Sequence, residues 1–225
     1  MYLPTPQTLK NSKWKVYTRP FELNIVGVRS PSLRPNKFDD IMVVFYYDDK
    51  GKLVYLKFPC TTDTGTYWLK NPMMPQGTAI VQEGQYIDAY QLGFHRGQYK
   101  ALVQVKPVSI RRDNNRDDVL DFFAGKIYKD NIGANIHHAS SNGTTKFVDK
   151  YSAGCQVFAN IEDYDYFISL CDKHKSLYGN SFTYGLIDAR MQQRTVARRT
   201  ITALGALALA AVYNKEITDF LGLKN

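Results

Sequence analysis

The chain has 225 residues, 44% hydrophobic and 22% charged, which excludes a disordered polypeptide and suits one main core with an appendage. Lys and Arg (29) outnumber Asp and Glu (21), and the formal charge of +8 draws the protein to polyanions: nucleic acid, anionic lipid or an acidic wall polymer. Three cysteines without a C-x-x-C exclude a disulfide framework, and no Cys/His finger, RNP-like strand or basic run interleaved with aromatics is present, so nucleic acid is not expected as a partner.

The opening "MYLPTPQTLKNSKWKVY" lacks a basic start followed by an apolar run, so no secretory signal is expected, and residues 1–20 read as an extension. "FELNIVGVRS" (21–30) alternates apolar and polar residues. "DDIMVVFYYDDKGKLVYLKFPC" (39–60) predicts a hairpin around an Asp-Asp-Lys-Gly turn at 48–51. Gly65, Pro72, Pro75 and Gly77 punctuate residues 61–86, and "KALVQVKPVSIRRD" (100–113) reads as a further strand pair. One or two helical turns are expected at 115–126, ending at Gly125. Ile161, Tyr164, Phe167, Ile168 and Cys171 fall at helical spacing over 161–178, with Gly179 as C-cap, and 181–188 reads as a closing strand. Short, closely spaced strands predict a sheet-based domain rather than alternating β-α units.

Residues 190–225 differ from the rest. They begin basic, with Arg190, Arg194, Arg198 and Arg199, then run uncharged from Thr200 to Asn214, short of the ~20 residues that a bilayer span needs. Three readings stand open: a helix packed on its own domain or another subunit, a membrane-surface anchor with arginines on headgroups, and a true span.

The chemistry-bearing stretch is "NIHHASSNGTTKFVDKYSAGCQVF" (135–158). Cys155 follows a glycine that leaves room for N–H groups to face an oxyanion, and either His137 or His138 could reach its sulfur. The plainer reading makes Cys155 a small buried hydrophobe, the commonest fate of a lone cysteine. His95 and His174 have no second ligand at metal spacing, so structural or surface roles are expected for both, with His95 able to line a cleft. Acidic pairs such as Asp117/Asp118 and Asp163/Asp165 read as solvated faces, and Cys60 and Cys171 as core.

The strand histidine followed by Ser152-Ala153-Gly154-Cys155, with "FPCTTDTG" (58–65) and "NPMMPQGTA" (71–79) upstream in the same order, resembles the L,D-transpeptidase catalytic domain of the YkuD type over roughly residues 22–160. The resemblance implies a mainly β, α+β fold: a β-sandwich or mixed-sheet catalytic domain at 21–189 with a few short helices and a C-terminal helical tail. It implies Cys155 as nucleophile, His137 as base oriented by the carbonyl of His138, N–H groups around Gly154 and Cys155 as oxyanion hole, and Ser152 at the signature hydroxyl position. His138 is the rival base, because adjacent strand residues face opposite sides. Gly65, Pro75, Gly77, His95 and Gln156 are expected on the substrate side, with no metal or organic cofactor. Gln156 and Val157 depart from the family's apolar residue followed by Arg or Asn, and Ala153 stands where His is frequent.

By this resemblance the chain acts on peptidoglycan stem peptides at the linkage between a diamino acid and a D-residue, through a thioester resolved by an amine or by water. The missing export signal suggests a bacteriophage origin: an endolysin released by a holin or a virion-borne wall hydrolase, made in the host cytoplasm and acting at the wall, where hydrolysis serves better than crosslinking. The alternative is a virion structural or wall-binding protein that uses the fold as a scaffold, with Cys155 dispensable. In both readings Arg194–Tyr213 offers a membrane-surface, virion or self contact.

Overall fold

Thr5 and Thr8 close a capping box around the first helix, α1 (Pro6–Asn11), in the computed structural model, which describes residues 3–190. Leu9 of this helix is buried with Val26, Val28, Val43, Phe45 and Ile187. Trp14 lies so close to Gly185 that a Cβ there would stand 2.2 Å from the indole. The segment expected as an extension is therefore part of the domain's packing.

Strands β1 (Asn24–Arg29), β2 (Asp40–Tyr47) and β3 (Leu53–Thr61) follow. The β2–β3 hairpin pairs from Asp40↔Cys60 to Tyr47↔Leu53 around the expected turn, where Asp48 accepts the N–H groups of Lys50 and Lys52. Next come α2 (Thr66–Lys70), β4 (Thr78–Val81), the long β5 (Gly84–His95), β6 (Tyr99–Gln104), β7 (Val108–Asp113) and β8 (Tyr128–Asp130). Two three-residue strands, β9 (Ile136–His138) and β10 (Gln156–Phe158), precede α3 (Ile161–Tyr178) and β11 (Phe182–Asp188). Asn160 caps α3 by accepting the N–H groups of Glu162 and Asp163, and Gly179 (φ 89°) ends it where the sequence placed its stop.

The protein is mainly β, with a large mixed sheet and few short helices. Eight strands close into a barrel in the order β1-β11-β5-β6-β9-β10-β3-β2, and β4-β7-β8 form a separate antiparallel sheet. The mixed-sheet expectation is met as a closed barrel rather than as two face-packed sheets. Parallel contacts occur at β1–β11 and β9–β10. The strands expected at 100–113 exist but belong to different sheets, β6 in the barrel and β7 in the small one. No helix forms at 115–126: Asn115 accepts the Asp117 N–H, Asp117 that of Val119, and Asp113 that of Asp121. These side chains offer the backbone local partners in place of helical carbonyls.

The barrel unit ends at Asp188. The contact expected through Arg194–Tyr213 lies outside the described residues, and among those described no helix is long and apolar enough to cross a membrane.

One charge is sealed into the fold. Arg29, 1% exposed, pairs with Asp63 at 2.7 Å and Asp188 at 3.9 Å and donates to Thr62. Asp40 beside it accepts the N–H groups of Ser30 and Thr62, each at 2.6 Å. Removing the cation takes the ion-pair partner from two buried carboxylates, so Arg29→Ala should cost about 3–5 kcal/mol of stability, read from the urea unfolding midpoint.

Candidate functional site

The sheet register decides which side chains meet. In the parallel pair, Gln156 stands opposite Ile136 and Phe158 opposite His138; the bond from Gln156 N–H to the Asn135 carbonyl at 2.9 Å secures the first of these pairs, and Asn135 and Cys155 are the residues that lead into the two strands. Alternation then puts Asn135, His137, Cys155 and Val157 on one face, and Ile136, His138, Gln156 and Phe158 on the other. Pairing of Leu102 with Ile136, and of His95 with Tyr99, adds His95 to the first face, whereas the Tyr99 ring leans toward His138 and only its hydroxyl reaches His137. Side-chain contacts agree: the His95 and His137 rings stack at 4.1 Å and 22°, and Asn135 Nδ2 lies 3.1 Å from His95 Nδ1.

Hydrogen bonds fix the proton positions on both rings. His137 Nδ1 lies 2.7 Å from the His138 carbonyl, which can only accept, so Nδ1 carries the proton and Nε2 keeps its lone pair. That Nε2 is buried without a hydrogen-bond partner among the described residues. Asn135 Oδ1 accepts the Gln104 N–H at 2.9 Å, which turns its amide nitrogen toward His95 and makes His95 Nδ1 an acceptor. The Tyr99 hydroxyl lies 3.2 Å from His137 Nδ1. His138, the rival base, turns to the opposite face, where its ring meets Tyr164 at 5.0 Å; Tyr99 covers it at 4.1 Å.

Cys155 is half-buried at the end of a turn built by its neighbours. Ser152 Oγ donates to the Cys155 carbonyl at 2.8 Å and accepts the Gly154 N–H at 3.2 Å. Gly154 has φ 122°, and a Cβ on it would stand 2.9 Å from the Ala79 carbonyl oxygen, so both conformation and space demand glycine. The Gly154 N–H expected at an oxyanion is thus committed to Ser152. The thiol donates to the Gly133 carbonyl at 3.4 Å.

Burial sets the electrostatics. It pushes the Cys155 thiol up to about 11, against a hydrogen bond from the Asn135 backbone and the charge of Arg96. Burial holds His137 down to about 3, aided by the neighbouring His95. At neutral pH the two groups are a thiol and a neutral imidazole, not a thiolate–imidazolium pair.

Three of the residues expected on the substrate side support the backbone or leave the face. Gln156 is fully buried, its amide held between the Tyr184 hydroxyl at 2.7 Å and the Gly154 carbonyl at 3.2 Å, so the expected substrate contact is not met. Gly65 braces the cysteine turn: its N–H donates to the Ser152 carbonyl at 2.9 Å, and any Cβ would collide with the Asp149 carbonyl. Pro75 is exposed on the loop between Met74 and Gly77. Gly77 does line a cleft of about 280 Å³, together with Met73, Met74, Ala79, Ile132 and Ala153, which places this cleft against the cysteine turn.

Sequence reasoning missed Tyr99, Arg96 and Asn135. "GFHRGQYK" carries a usable signal, since Arg96 and Gly97 both take positive φ in the β5–β6 turn and pair His95 with Tyr99. Nothing local marks Asn135, whose role comes from a strand of distant register. His174 is structural: it accepts the Leu23 N–H at 3.0 Å. Among the described residues no group of three His, Cys, Asp or Glu side chains could hold a metal ion.

Neither family models, curated proteins nor solved structures match this chain.

Two measurements test this electrostatic picture. His95, His137, His138 and His174 are all held below the ordinary imidazole value of 6.5 by burial, so the unfolded chain gains protons before the folded one does. Stability from this source is complete above about pH 6.5 and is lost as pH falls toward 3; Tm should drop from pH 7 to pH 4, and His137→Gln should flatten part of that drop. Alkylation of Cys155 by iodoacetamide should be slow at pH 7 and accelerate up to pH 10, whereas a fast plateau below pH 7 would reveal a depressed thiol.

Proposed function

We propose that the protein is a cysteine acyl-transfer enzyme of the L,D-transpeptidase type that cleaves peptidoglycan stem peptides. The observation that carries this reading is the His137 imidazole: its Nδ1–H is pinned to the His138 carbonyl, and its unpartnered Nε2 shares a face with Cys155.

In the proposed reaction the Cys155 thiol leaves the Gly133 carbonyl and gives its proton to His137 Nε2 as sulfur attacks the substrate carbonyl carbon. The Cys155 N–H, rather than that of Gly154, is the backbone donor for the developing oxyanion. Collapse breaks the C–N bond, His137 returns its proton to the leaving amine, and a thioester remains on Cys155. Water then adds, again giving its proton to His137, and the acid is released as sulfur recovers the proton. An amine in place of water would form a new amide by the same steps. A neutral pair needs His137 to act as general base during attack, which suits a cleft whose low polarity disfavours a resting ion pair.

The raised thiol favours a second reading, a wall-binding or virion scaffold in which Cys155 is inert. Intact-mass spectrometry after carbapenem exposure separates them. A single adduct on wild type, absent from Cys155→Ser, is expected; no adduct would favour the scaffold. On purified sacculi His137→Ala should lower kcat about 10²–10⁴-fold. The acid limb of kcat/KM should fall well below the ordinary imidazole range, since His137 stays neutral there.

A further inference from the structure

We infer that the protein docks on an anionic phospholipid surface through a patch beside the cysteine turn. Phe147 and Leu33 enter the lipid interface, and Arg34, Lys37, Lys146 and Lys150 meet the headgroup phosphates. Three segments build the patch. Asn36 ties residues 33–37 to residues 146–151: its side-chain oxygen accepts the Asp149 N–H and its carbonyl the Val148 N–H at 3.5 Å. Helix α2 joins through Trp68, whose Nε1 donates to the Lys150 carbonyl at 3.0 Å, and through Tyr67, whose ring centre lies 4.5 Å from Lys150 Nζ. Ser152, which holds the cysteine turn, follows directly on Tyr151.

Both loop tips carry one pattern, an apolar side chain turned to solvent beside cations. Phe147 is 64% exposed between Lys146 and Lys150, and Leu33 is 46% exposed next to Arg34. Main-chain bonds hold both tips: the Tyr151 N–H closes a turn on the Val148 carbonyl at 2.8 Å, and the Leu33 carbonyl accepts the Leu120 N–H at 2.9 Å. The backbone is thus fixed while these side chains stay outside the core, as at a surface that meets a partner. Of the five cations in residues 33–37, 67–70 and 146–151, only Lys70 forms an ion pair among the described residues, with Asp118 at 3.0 Å. Asp149 is the one carboxylate in these segments.

Charge complementarity selects an anionic partner, and the apolar tips select among anionic partners. A soluble polyanion gives Phe147 and Leu33 nothing to enter. A phospholipid interface takes apolar side chains below the phosphates that the flanking cations contact. This goes beyond the acyl-transfer reading and stands without it.

Flotation of the full chain with vesicles tests it. Vesicles of phosphatidylglycerol mixed with phosphatidylcholine should bind the protein at about 0.1 M salt and release it at about 1 M, and phosphatidylcholine alone should not bind it. Phe147→Ser should weaken the partition roughly tenfold. Lys37→Glu combined with Lys146→Glu should weaken it roughly twentyfold or more, at about fivefold for each lost cation. Lipids brominated on their acyl chains should quench Trp68 in the wild type, and Trp68→Phe should remove the quenched emission while keeping that of Trp14. A surface anchor at Arg194–Tyr213 would instead leave both variants at wild-type binding and Trp68 unquenched, which overturns the patch. So does failure to bind phosphatidylglycerol vesicles, equal binding to phosphatidylcholine, or capture of soluble polyglycerol phosphate or an oligonucleotide in place of vesicles. Phe147, Lys37 and Lys146 are exposed, so circular dichroism should be unchanged by these substitutions; if a variant does not fold, quenching of the wild type decides.

Discussion

A parallel pairing of two three-residue strands governs the candidate site. Were β10 shifted by one residue against β9, Cys155 would change faces and meet the His138 side of the sheet instead of His137. Strands this short cannot hold their register through ladder bonds alone. The register is fixed from outside: Phe158 packs against Phe58, Tyr164 and Phe167, Gln156 is tied to Tyr184, and Ser152 holds the turn before the strand. Gln156 thus serves Cys155 by being buried, and the polar residue after the cysteine secures position instead of touching a ligand.

The same burial that fixes the geometry keeps both groups neutral. A thiolate and an imidazolium would each need solvation that this face does not supply, since His95 covers one side of the His137 ring and Tyr99 approaches its Nδ1. In the acyl transfer proposed above, the charges form only during attack. The neutral thiol is also protected against adventitious oxidation, because reactivity toward oxidants follows thiolate character.

Sequence alone made the hairpin, the long helix, the closing strand and the His–Cys stretch legible, because each rests on local signals: an Asp-Asp-Lys-Gly turn, a 3.6-residue period, a glycine stop. Barrel closure was not legible. It depends on β11 returning to lie parallel to β1, a contact between residues such as Ile25 and Tyr184 with no local trace. The helix expected at 115–126 failed for the opposite reason, since its Asn and Asp residues capture nearby N–H groups more readily than helical turns would. Within the site, alternation alone could separate His137 from His138, but which of them shares a face with Cys155 required the strand partner. Tyr99 was within reach of a hairpin argument; Asn135 was not.

The candidate site and the cleft beside it are built from different sheets. Cys155, His137 and His95 ride on the barrel and its connecting turn, whereas Arg112 and Asp130 belong to β7 and β8 of the small sheet, which meets the turn through Ala79. Gly154 is the point of contact, and it is glycine because the Ala79 carbonyl leaves no room for a side chain. Changes in the small sheet away from Ala79 can therefore alter the lining of the cleft without moving the face that carries the thiol and the imidazole. Changes at Gly154 cannot, because any Cβ there pushes the small sheet and the cysteine turn apart together.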